Sequence, residues 1–114
     1  MGLRRSISAK SYFIYLAILL NIFNVADAFF TIEWVSNNIA QEANPLMDLL
    51  LSHSPILFAT VKIVLVALGS VLLCRYKESR AAWFALACCL IVYASIMAIH
   101  YRIAADNFSF LLRM

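Results

Sequence analysis

The sequence predicts an all-α membrane protein with three transmembrane helices and a short interfacial helix between the first and second. Three observations predict it. The 114 residues are 65% hydrophobic and 13% charged, with a mean hydropathy of +0.89. A soluble domain would carry about a quarter charged residues and about half apolar ones. The apolar residues fall into three runs of roughly 20 residues or more, each long enough to cross a hydrocarbon core of about 30 Å. Asn44-Pro45 and Ser54-Pro55 both pair an N-cap residue with a proline suited to the first helical position, so two helix starts lie between the first and second runs.

Residues 1–11 form a basic leader with Arg4, Arg5 and Lys10. The first span follows over 12–35. A competing expectation applies here. The basic start, the apolar stretch from Tyr12 to Phe23 and the triplet Ala26-Asp27-Ala28 together resemble a secretory signal with its cleavage site. Against that, Asn21 and Asn24 interrupt the apolar stretch, and hydrophobicity resumes at once with Phe29, Phe30, Ile32 and Trp34. A polar loop from Ser36 to Asn44 leads into the interfacial helix, 45–51, and Ser54 starts the second span, 55–74. Within it, Lys62 shares a stripe with Ala59, Val66 and Gly69, small enough to let helices approach closely in lipid. The third span, 81–101, has a small-residue face of its own at Ala81, Ala85, Cys88 and Ser95. The tail, 102–114, is mildly amphipathic through Phe108, Phe110, Leu111 and Leu112. The whole is a single membrane domain.

The basic residues set the expected orientation. Arg4, Arg5 and Lys10 share one side with Arg75, Lys77 and Arg80, which places the N-terminus in the cytoplasm and the C-terminus outside, in a cell (inner) membrane. The three cysteines, Cys74, Cys88 and Cys89, lack C-x-x-C spacing and read as packing residues rather than a disulfide framework or a metal site. No interleaving of aromatic and basic residues points to nucleic acid.

The informative stretch is Asn21 to Thr31. At about 100° per residue, Asn24, Asp27 and Thr31 share one face of the first span. An ionisable side chain at that depth is costly and calls for a partner. Asp27 lies about 12 Å from the far end of its span, and Lys62 about 10 Å below the start of the next. Antiparallel neighbours therefore bring the two to similar depth, and Asn24, Asp27, Thr31 and Lys62 form one expected polar cluster, with Asn21 peripheral and unpartnered. A second group, Glu33, Glu42, His53 and His100, is expected at the rim, in contact with water and without the spacing of a metal site.

Asp27-x-x-x-Thr31, the loop motif Glu42-x-Asn44-Pro45 and the intramembrane Lys62 together resemble a family of small prokaryotic integral membrane proteins defined only as a domain of unknown function. The resemblance runs from about Leu19 to Leu73. Ser36-Asn37-Asn38 stands here where that family usually has a loop glycine. It implies that Asp27, Thr31, Glu42, Asn44 and Lys62 act as a group, and it implies no activity, substrate or cofactor.

The leading expectation is a non-enzymatic accessory or interaction subunit, with no cofactor and no catalytic residue. Its Asp–Lys cluster sets the packing of the helices, with ion or proton handling in a larger assembly as the further role, in a bilayer with a second copy or another membrane protein as partner. The alternative is a membrane-embedded enzyme using Asp27, Glu42 and His100 on a lipid-like substrate. Convergence of Glu42 and His100 on the Asp27–Lys62 pair in an open cleft favours chemistry; a closed pair without a cavity favours packing.

Overall fold

The computed structural model describes residues 2–108 and 112–113. Its four helices are α1 (Gly2–Ser36), α2 (Pro45–His53), α3 (Pro55–Arg75) and α4 (Arg80–Asp106). Three of them, α1 from Lys10, α3 and α4, are long and apolar enough to cross a membrane. The leader is therefore continuous with the first span as helix, and α4 carries on past Tyr101 into what the sequence marks as tail. Phe110 and Leu111 of that tail lie outside the described residues.

α1 is the hub. It packs against both α3 and α4, while those two barely meet. At 35 residues it is about 52 Å long, close to the 55 Å long axis of the molecule. Phe13, Ala17, Leu20, Asn24, Asp27, Thr31 and Trp34 are all buried, and they recur in alternating steps of four and three. That alternation is the seam of a helix gripped along its length by neighbours at shallow crossing angles. The seam changes character along its length. At one end Phe13 and Leu20 pack with Ala82 and Leu86 of α4, edged by Val66 and Leu73 of α3. The remainder is polar or aromatic.

The connections define two ends. The turn end holds residues 76–79 between α3 and α4, where Ser79 caps α4 by accepting from Ala82 N–H. Lys10 Nζ of α1 lies 2.7 Å from Glu78 there. That hydrogen bond, with the ammonium's charge behind it, holds the exposed Glu78 carboxyl below its ordinary value. The loop end holds residues 37–44 and α2. Asn44 Oδ1 accepts from Leu46 and Met47 N–H, and Pro45 occupies the first turn, where a missing N–H costs nothing. Ser54 both closes α2 and caps α3 through Leu57 N–H. α2 lies back on the bundle, with its Leu51 against Phe58 of α3 and Ala28 of α1.

One expected packing face is corrected, and another loses its last member. Ala81, Cys88 and Ser95 of α4 are exposed; its inward stripe is Ala82, Leu86, Tyr93 and His100. Tyr93 and His100 carry polar groups that need partners on α1, and that need outweighs small size in choosing the inward face. Gly69 of α3 is likewise exposed, and a Cβ built there meets nothing within 4 Å. It is not a point of close helix approach.

Candidate functional site

The polar half of the seam is a ladder in which each rung ties α1 to a neighbour. On the lowest rung Asn21 Nδ2 donates to Ser70 Oγ of α3 and to its own helix at Ala17 O, both at 2.8 Å. Asn21 is thus partnered, contrary to the sequence reading, because Ser70 sits one turn beyond Val66 on the inward face of α3 and is itself buried. One turn up, Asn24 is fully buried. It donates to Lys62 O at 3.3 Å and accepts from Tyr93 Oη at 2.9 Å. One side chain there links all three long helices.

Asp27 forms the next rung. Lys62 Nζ reaches its Oδ2. On Oδ1, His100 Nε2 lies at 2.6 Å and Thr31 Oγ1 at 3.4 Å. Trp34 completes the centre by donating its indole N–H to His100 Nδ1 at 3.0 Å. That bond settles the tautomer. An indole N–H can only donate, so Nδ1 carries no proton, and the imidazole's hydrogen sits on Nε2 and points at Asp27. Phe30, stacked on both His100 and Trp34 with ring centroids 5.2 and 6.0 Å away, fixes the two rings in that relation. The Phe58 ring lies 5.7 Å from Lys62 Nζ, within range of a cation–π contact.

His100 is the largest departure from the expected rim group. It is buried, 7% exposed, and belongs to the Asp27 centre. The α4 stripe on which it lies turns inward because Tyr93, two turns earlier, is bound to Asn24. His53 is exposed at the end of α2, and Glu33 lies on another face of α1 from Asp27. Among the described residues no three His, Cys, Asp or Glu side chains converge as metal ligands. Cys74, Cys88 and Cys89 are free thiols.

Glu42 has moved the other way, toward the centre. The loop 40–43 folds over the top of the seam, and Glu42 lines a cavity of about 310 Å³ together with Asp27, Thr31, Trp34, Lys62 and His100. The volume is in the range of small-ligand pockets. Tyr93 and a row of isoleucines from α4, Ile96, Ile99 and Ile103, form the opposite wall. Glu42 Oε1 accepts from Asn44 N–H at 3.1 Å, so the motif Glu42-x-Asn44-Pro45 ties the cavity's cover to the start of α2. Tyr93, Trp34 and Ser70 escaped the sequence reading, and His100 entered it only as a rim residue and as a member of the catalytic alternative. The available signal was spacing: Leu20, Asp27 and Trp34 are seven apart, as are Leu86, Tyr93 and His100.

A central carboxylate contacted by lysine and histidine, a fixed imidazole tautomer and a cavity over both is an arrangement for holding a polar group at depth. No curated protein and no solved structure matches the chain. A family model does, over residues 18–105, a span that takes in the whole polar ladder and the third long helix as well as the stretch that carried the resemblance. The chain belongs to the family described as a domain of unknown function (DUF5658).

Proposed function

We propose that this chain is a non-enzymatic membrane module that receives a ligand's polar group at the Asp27–Lys62–His100 centre from one side of the bilayer. The observation that carries the reading is the cavity shared by that centre and the loop 40–43. At the other end the seam is filled by Phe13, Leu20, Ala82 and Leu86, which favours a one-sided pocket over a conduit. The pair Asp27–Lys62 is charged in this reading, each partner offsetting the other's desolvation.

Glu42 and His100 share the cavity with the Asp27–Lys62 pair, the convergence expected of an enzyme, and Glu42 keeps one carboxylate oxygen without a protein partner among the described residues; the other groups there are committed to one another. Both imidazole nitrogens of His100 are engaged, so it offers no lone pair for a general base. No serine or cysteine lines the cavity, and the Thr31 hydroxyl lies 3.4 Å from Asp27, a carboxylate that Lys62 and His100 already hold. Ion or proton handling is the second reading, favoured by the ladder that continues from Asp27 through Asn24 and Tyr93 to Asn21 and Ser70. It requires a second copy or a partner protein to carry the route past the apolar end. The gathering of Lys10, Arg75 and Lys77 around the turn end supports an inner-membrane orientation with that end in the cytoplasm and the loop end outside.

Native mass spectrometry of the chain extracted in mild detergent tests the reading. Wild type retains small molecules or lipid through the cavity. Ile99→Trp, which fills the cavity from a position that is largely exposed, loses them while keeping its thermal stability. Equal retention in both proteins overturns the proposal.

A further inference from the structure

We infer that the molecule held in this cavity is a zwitterionic aminophospholipid, its phosphate on Lys62 and its amine on Glu42. The inference rests on the binding reading above and deepens it by naming the ligand class.

Lys62 has N–H donors to spare. An ammonium has three N–H donors, and Asp27 Oδ2 takes one; no other side-chain acceptor meets it among the described residues. Its side chain is only 14% exposed, and it lines the cavity. Buried donors in a low-dielectric setting favour an acceptor rich in oxygens. A phosphate is such an acceptor.

Glu42 faces the same cavity with acceptor capacity to spare. The charges lining the cavity are two carboxylates, Asp27 and Glu42, against one ammonium, Lys62; His100 is neutral in the tautomer that Trp34 imposes. Asp27 and Lys62 answer each other, so Glu42 is left as the uncompensated charge. Only its Oε1 is used, by Asn44 N–H, and Oε2 has no protein partner among the described residues. The cavity therefore carries one net negative charge, which an anionic headgroup would raise to two, whereas a zwitterion adds none and sets its amine on Glu42. An amine alone would leave the donors of Lys62 unused. A head with both groups satisfies both ends.

Beyond the space for a head, the cavity wall is aliphatic. Ile96, Ile99 and Ile103 recur every three or four residues up one side of α4, and Ile99 is 57% exposed on the lipid-facing surface. The cavity is therefore open toward the hydrocarbon along an aliphatic strip. A free headgroup would leave that strip unused, and acyl chains would lie along it.

The full-length chain in mild detergent is titrated with short-chain phosphatidylethanolamine, phosphatidylglycerol of the same chains, and free phosphoethanolamine. Binding is read by native mass spectrometry and by fluorescence of Trp34, isolated with Trp83→Phe. The expected result is binding of phosphatidylethanolamine at least about tenfold tighter than of phosphatidylglycerol. Glu42→Gln, which keeps the hydrogen bond to Asn44, reduces that preference to about twofold or less. Equal binding of the two lipids, a preference that survives Glu42→Gln, or equally tight binding of free phosphoethanolamine overturns the lipid assignment. Ile99→Trp separates the two levels. If it abolishes binding that shows no preference for the amine, the one-sided pocket stands and the ligand class falls; if it changes nothing, the pocket itself falls.

Discussion

Asp27 is held from three directions, by Lys62, His100 and Thr31, and each donor was brought to it by a different segment. Removing the carboxylate's charge therefore does more than delete a contact. Asp27→Asn keeps the size and one acceptor but strands the Lys62 ammonium, at a typical cost of about 3–5 kcal/mol. Replacing both partners by Asp27→Asn with Lys62→Met removes the stranded charge and is expected to recover most of that loss. Denaturation in mixed micelles followed by circular dichroism measures the series. The double variant keeps its fold and loses ligand retention; retention undiminished in a folded double variant makes the pair a packing device only. Of this centre, Asp27 and Lys62 were legible in the sequence because charge inside an apolar run stands out against its background. Their similar depth followed from antiparallel spans. Trp34 and Tyr93 were not legible, because an aromatic residue in an apolar run looks like any other lipid-facing side chain until its polar atom has a partner. His100 was misread as a rim residue because it lies near the end of its run, and only the inward turn of the stripe from Leu86 to His100 buries it.

At the scale of elements, the starts of α2 and α3 were written in the sequence, and so was the place where α1 ends, but not the turn that ends it. Asn44-Pro45 and Ser54-Pro55 announce α2 and α3 by side-chain chemistry that acts within a turn, so neighbours are not needed to read it. The end of α1 is different. Asn38 N–H donates to Val35 O and Ile39 N–H to Trp34 O, at 3.1 and 2.8 Å, which is the Schellman pattern. Its pivot is Asn38 at φ 59°, the left-handed region that asparagine tolerates better than other non-glycine residues. Asn38 thus fills the position where a helix of this ending most often has glycine. Because this turn starts the loop that brings Glu42 over the cavity, its geometry reaches the site. Asn38→Gly is expected to leave stability unchanged or slightly raised. Asn38→Val, which penalises the left-handed backbone, costs about 1–2 kcal/mol. The checks are the denaturation midpoint and faster amide exchange over residues 37–43 in the valine variant. A valine variant as stable as wild type would mean that the turn is not held in this conformation.

The molecule as a whole is organised radially: α3 and α4 are joined through α1 far more than to each other. The hydrophobic effect does little between helices whose surroundings are already apolar, so the polar ladder and the close packing at the turn end must hold them. This is also why so many large apolar side chains are exposed, Leu68, Val71, Phe84 and Ile91 among them; they face where lipid would be. The radial plan has a measurable consequence. Leu20 is 3% exposed and sits in a cluster edged by residues of both other long helices, including Cys74 of α3 and Cys89 of α4. Truncating it with Leu20→Ala opens a void that neither neighbour can close alone, at about 2–5 kcal/mol. Both half-buried thiols should then react faster with a membrane-permeant maleimide, while the exposed Cys88 serves as the reference that does not change. Leu68→Ala, on the lipid-facing side of α3 at 63% exposure, should alter neither rate. If Leu20→Ala frees Cys74 but not Cys89, α4 is held by the ladder through Asn24, Tyr93 and His100 without help from the apolar end. If both are freed together, the seam of α1 acts as one cooperative unit, and the cavity at its loop end is only as stable as the packing at its turn end.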